Sequence, residues 1–171
     1  MLFGDSMLGR FTKPRISQLE SATGFVVFNC AAGGWTSSDG ALRAPTIAQT
    51  TPDVVVLSFG ANDCSPDRLV PLSSYTSNLR LITAAFAPAT LVAFLPPAIH
   101  EVDGLGRRGR TNAVLSAYRN AFRDSVPHPF DTDSALAPLP CPLAEDGLHL
   151  TSAAYSHVIP ALAAHITSVT P

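Results

Sequence analysis

Short apolar runs alternate with longer stretches in which apolar residues recur at helical spacing. The runs are "MLFG" at 1–4, "GFVVFNC" at 24–30, "DVVVLSFG" at 53–60, "ATLVAFLP" at 89–96 and, less sharply, "HPFDT" at 128–132. In the third, Val54, Val55, Val56 and Leu57 are consecutive. An unbroken apolar block of that length reads as a parallel strand covered on both faces. Between the runs the pattern predicts helices over 7–21, 40–49, 68–86, 111–125 and 151–168. In the last, Ala154, Val158, Leu162 and Ile166 fall on one stripe behind Thr151 or Ser152 as cap. Strands alternating with helices imply right-handed crossovers and a doubly wound sheet, whose sites form at the carboxyl ends of the strands.

Composition narrows the class. The 171 residues are 46% hydrophobic and 14% charged, a globular composition expected to form one domain over 1–171. The net charge of −2 argues against nucleic acid as partner, because phosphate contacts need a basic face. Of the eleven basic residues Lys13 is the only lysine, which leaves ten arginines. No apolar run is long enough to span a membrane and no leader is visible. The chain reads as soluble, either cytoplasmic or secreted with a leader removed. Cys30, Cys64 and Cys141 cannot all pair with one another. Cys64 with Cys141 is the one disulfide considered, against three reduced thiols. "HEVD" at 100–103 lacks a second histidine, so no metal site is read.

The unusual residues fall after the strands. Ser6 follows the first and "NCAAGGWTS" the second, while "GAND" with Asn62 and Asp63 follows the third. "EDGLHL" with Asp146 and His149 precedes the last helix. A serine hydroxyl is a weak nucleophile until a base takes its proton. His149 can be that base, with Asp146 fixing its tautomer and stabilising its cation. The Ser6 N–H, the Gly34 N–H and the Asn62 amide can donate to an oxyanion. An Asp146 partner is expected to raise the His149 pKa. Each piece also has a plain structural reading. Ser6 suits a helix N-cap, "GAND" and "EDGLH" suit turns, Trp35 suits either an acyl pocket or the core, and Arg107, Arg108 and Arg110 suit either an anion site or a solvated loop. Arg43 is a candidate to tie down the loop after the second strand through an ion pair.

"FGDS" at 3–6, "NCAAGG" at 29–34, "FGAND" at 59–63 and "DGLHL" at 146–150, in this order across nearly the whole chain, resemble the SGNH hydrolases, or GDSL-type esterases and lipases. Pro96–Pro97 followed by Asn112, and "LTSAAY" after the histidine, are similar to the family too. The resemblance implies a flavodoxin-like three-layer α/β sandwich, with a five-stranded parallel sheet in the order 2-1-3-4-5 and helices on both faces. It implies Ser6, Asp146 and His149 as catalytic triad and Ser6, Gly34 and Asn62 as oxyanion hole, with no cofactor and no metal. The expected activity is serine-dependent hydrolysis of a small-molecule carboxylic ester of short to medium acyl chain. Acyl transfer or thioester hydrolysis by the same triad, and a binding module without activity, are the alternatives. The oligomeric state is not readable.

Overall fold

The computed structural model describes residues 1–170. Four parallel strands form one sheet in the order β1-β2-β3-β4: β1 Leu2–Gly4, β2 Val54–Ser58, β3 Thr90–Phe94 and β4 Pro129–Phe130. β2 is buried along its whole length, as its continuous apolar run predicts. Leu2 pairs with Val56 on one side, and Val56 pairs with Val92 on the other. Gly4 has φ +151°, and a Cβ there would stand 2.2 Å from the Ser58 carbonyl oxygen. Only glycine allows β1 to approach β2 this closely just before Ser6.

The expected five-stranded order needs one correction. The segment expected as the second strand lies beside β1, where that order puts it, but it makes a single parallel bridge, Leu2 with Asn29. The Leu2 N–H donates to the Phe28 carbonyl, and the N–H groups of Cys30 and Ala32 donate to the carbonyls of Leu2 and Gly4. Since β1 offers only three residues, nothing runs beside Phe25–Val27. The Val27 N–H turns to the Glu20 carboxylate instead, and Val26 and Phe28 are exposed. A cavity of about 600 Å³ flanks this segment at the amino ends of the strands. Its lining is mostly apolar and contains no histidine.

Among the described residues seven α-helices flank the sheet: α1 Ser6–Gly9, α2 Lys13–Thr23, α3 Ser37–Ile47, α4 Leu72–Ala85, α5 Asn112–Ser125, α6 Thr132–Leu136 and α7 Ser152–Val169. Six of them pack as two groups, α2–α7–α6 and α3–α4–α5, while α1 packs on β1. The first expected helix is two. Pro14 has no N–H to carry the hydrogen-bond ladder back to Arg10, and the Arg15 guanidinium takes the Arg10 carbonyl at 2.6 Å instead. α7 starts where its sequence says it should, with the Thr151 hydroxyl accepting from the Ala154 N–H. At the centre of the core, the Phe3 ring meets Trp35, Phe59 and Phe86 edge-on at centroid distances of 5.2–5.9 Å. No helix among the described residues is long and apolar enough to cross a membrane. The three cysteines are free, with Cys64 buried and Cys141 exposed, so the Cys64–Cys141 pairing is not formed.

Candidate active site

Asp5 settles whether Ser6 is a cap. The cap of α1 is Asp5: its carboxylate accepts from the Met7 N–H at 3.0 Å and from the Ser58 hydroxyl at 3.0 Å. Asp5 is fully buried, and burial pushes its pKa up to about 7 against the pull of those two hydrogen bonds. Ser6 is therefore the first helical residue, with its hydroxyl released from capping.

That hydroxyl lies 2.9 Å from His149 Nε2. On the other side of the ring, His149 Nδ1 lies 2.6 Å from Asp146 Oδ2. A carboxylate at Nδ1 fixes the proton there and leaves the Nε2 lone pair facing Ser6. The loop that presents this pair is a turn built by Asp146 itself. Its Oδ1 accepts from the N–H groups of Leu148 and His149, and Gly147 between them has φ +66°. Burial would raise the Asp146 pKa, but the hydrogen bonds from His149 and Leu148 hold it well below the usual carboxylate range. Asp146 pushes the His149 pKa up, as expected, but the net shift is downward. Burial lowers its pKa below 6.5, and the charges of Arg10 and Arg107 add to that, outweighing the hydrogen bond to Asp146.

Gly34 and Asn62 face the same cavity, of about 410 Å³, as Ser6 and His149. Gly34 has φ +82°, a conformation that suits glycine, and its carbonyl accepts from Arg68 at 2.5 Å. The N–H groups of Ser6 and Gly34 have no acceptor among the described residues. Asn62 is held at both ends of its amide. Arg110 donates to its Oδ1 at 3.2 Å, and its Nδ2 donates to the Trp35 carbonyl at 2.9 Å. One Nδ2 hydrogen is left over. The five residues expected at the site thus stand together, and the arrangement has what acyl transfer needs: a hydroxyl, a base aligned on it and free donors beside both.

Several supporting residues were not legible in the sequence. Arg107, for which the sequence leaves an anion site and a solvated loop open, pairs with the Asp146 carboxylate from the loop after β3. Arg110, buried in the same loop, donates to the carbonyls of Ala61 and Arg107 as well as to Asn62. Trp35 belongs to the core rather than to the cavity wall, and Arg43 stacks on its ring at 4.5 Å while paired with Asp39 at 3.1 Å.

Asp63 ties two of the loops together. It is fully buried and accepts from the Ser37 N–H at 2.7 Å and the Gly60 N–H at 3.0 Å, one on each oxygen. Asp63→Asn leaves one of those buried N–H groups facing an amide N–H. It is expected to lower unfolding stability by about 2 kcal/mol, read from urea midpoints at unchanged slope. An unchanged midpoint would mean that the two loops hold their positions without this carboxylate.

The chain resembles known proteins over nearly its full length. A family model, the GDSL-like lipase/acylhydrolase family, matches residues 2–157. No curated protein sequence matches. Among solved structures, the lipase/acylhydrolase from Enterococcus faecalis superposes with a TM-score of 0.83 at 23% identity, covering 98% of this chain and 94% of that one. The carbohydrate acetylesterase family member from Sinorhizobium meliloti gives 0.76 at 17% identity, covering 98% and 96%. The acetylxylan esterase from Geobacillus stearothermophilus gives 0.72 at 19% identity, covering 96% and 92%. These similarities establish a common fold.

Proposed function

The chain belongs to the GDSL-like lipase/acylhydrolase family, and from that premise we propose that it is a serine esterase that cleaves carboxylic esters through an acyl-enzyme. The observation that carries this reading is the hydrogen-bonded line Asp146–His149–Ser6, ending at a cavity that also receives unpaired donors. Ser6 Oγ attacks the ester carbonyl carbon as His149 Nε2 takes the hydroxyl proton. The carbonyl oxygen becomes an oxyanion held by the N–H groups of Ser6 and Gly34 and by Asn62 Nδ2. The tetrahedral intermediate collapses, the C–O bond to the alcohol breaks, and His149 returns the proton to the leaving oxygen. Water repeats the sequence on the acyl-enzyme and frees the acid. Asp146 stays ionised and stabilises the imidazolium at each step, which its depressed pKa suits.

A cavity of about 410 Å³ suits an acyl group of short to medium length. The neighbour from Geobacillus stearothermophilus is by name an esterase of acetylated xylan, which agrees with a short acyl group. Labelling with a fluorophosphonate, followed by peptide mapping, tests the assignment directly. The label is expected on Ser6, and a wild-type protein that hydrolyses esters while Ser6 stays unlabelled would sink it.

The pH dependence follows from His149. The base must be neutral, and burial together with Arg10 and Arg107 lowers its pKa from 6.5. The rate constant kcat/KM is therefore expected to rise with pH through one ionisation centred below 6.5, then stay flat into mild alkali. Initial rates on p-nitrophenyl acetate between about pH 4 and 9 check it. A midpoint above the ordinary histidine value would show that Asp146 outweighs burial and the arginines.

A further inference from the structure

Half of the chain's ten arginines line the one cavity that holds Ser6 and His149: Arg10, Arg68, Arg107, Arg108 and Arg110. This concentration stands out on a protein whose net charge is −2. No aspartate or glutamate lines the cavity. Two of the five arginines are compensated, Arg107 by Asp146 and Arg108 by Asp67 at 3.1 Å. Arg68 and Arg110 donate to carbonyls and to the Asn62 amide, which satisfies their N–H groups but leaves their charge. Arg10 has no side-chain partner among the described residues. Its backbone N–H is already spent, donating to the Ser6 carbonyl at 3.1 Å where it closes α1, one turn past the serine.

A merely solvated arginine loop would point outward or pair with the acidic residues, which outnumber the basic ones in this chain. Here the loop after β3, the turn after α1 and the segment after "GAND" converge on one concavity from separate parts of the sequence. Positive charge around a cleft with low-dielectric walls focuses the field and concentrates anions there. The same field reaches His149, whose basicity Arg10 and Arg107 depress.

We propose that the substrate of this site is an ester carrying an anionic group close to the scissile carbonyl, a carboxylate or a phosphate, held by the arginines around Ser6. This deepens the esterase reading and rests on it. The guanidinium plane matches either oxyanion in a forked pair of hydrogen bonds, and Arg10 is the member with its donors free for one.

The test compares kcat/KM for three acetyl esters of one geometry: 3-acetoxybenzoate, 3-acetoxyphenyl phosphate and the neutral 3-acetoxybenzamide. Wild type is expected to favour at least one anionic ester over the neutral one by about tenfold or more at low ionic strength, with the preference shrinking as salt is added. Which anion leads identifies the headgroup. Arg10→Gln is expected to cut the anionic-to-neutral ratio by about threefold, the scale of an exposed charge pair. Equal kcat/KM for all three in wild type overturns the inference and leaves ester hydrolysis standing. Calorimetry on the uncleaved analogues, 3-acetamidobenzoate against 3-acetamidobenzamide, separates the two readings. Charge-selective binding with no turnover of any ester would overturn the esterase reading, and with it the assignment of the anion to a substrate.

Discussion

Ser6→Ala is expected to abolish ester hydrolysis and leave the fold unchanged. The Ser6 hydroxyl makes one hydrogen bond, to His149 Nε2, and none to the backbone, because Asp5 caps α1 in its place. Removing it opens no core cavity and strands no buried donor, so the melting temperature is expected to stay within a degree or two of wild type. The chemical loss is large because a triad acts as a unit. Without the oxygen there is no acyl-enzyme, and kcat is expected to fall on the order of a millionfold. What is left comes from the donors of Gly34 and Asn62 acting on a water attack. The measurement pairs p-nitrophenyl acetate hydrolysis with a thermal melt, on protein freed of host esterases. Activity above a tenth of wild type in folded Ser6→Ala would remove Ser6 from the chemistry.

How far the sequence was readable depended on whether a feature is local. β2 is announced by four adjacent apolar residues, and α7 by its stripe and its Thr151 cap, because burial on both faces and capping are written in neighbouring positions. The loops that meet at the site were legible as motifs, and the structure brings Ser6 and His149, 143 residues apart in the chain, within hydrogen-bond distance. What failed depended on partners elsewhere. "GFVVFNC" has the composition of a strand, but β1 is too short to pair with most of it, and the length of a neighbour is invisible in the segment itself. Pro14 did carry a local signal for the break between α1 and α2, and the apolar spacing across it masked that signal. The lowered pKa of His149 comes first from burial and then from Arg10 and Arg107, and no spacing rule supplies the depth of the ring or its distance from those charges. Asp5 and Ser6 show the subtlest case: both are good caps, and only the register of α1 assigns the role to Asp5.

Asn62→Ala separates an oxyanion donor from a turn residue. In the folded protein one Asn62 hydrogen is spent on the Trp35 carbonyl, and Oδ1 receives Arg110. The substitution therefore has a structural cost of its own, since the buried Arg110 guanidinium loses one acceptor while keeping the carbonyls of Ala61 and Arg107. That cost is expected to be about 1 kcal/mol, the net worth of an ordinary hydrogen bond. The remaining Asn62 hydrogen is the one with no use in the resting protein, and its worth should appear only when charge builds on the substrate oxygen. Losing one such donor costs about 10²–10³ in kcat, or ~3–4 kcal/mol in the transition state. KM is expected to move little, because the ground-state carbonyl draws on the donor weakly. Ser6 and His149 remain, so the variant should still take the fluorophosphonate, more slowly. Steady-state kinetics and a melt on one preparation decide the matter. A lowered melting temperature with near-normal kcat would make Asn62 a turn residue that braces Arg110 and Trp35. A stability loss of no more than about 1 kcal/mol with kcat reduced a hundredfold or more is the signature of a donor aimed at the oxyanion.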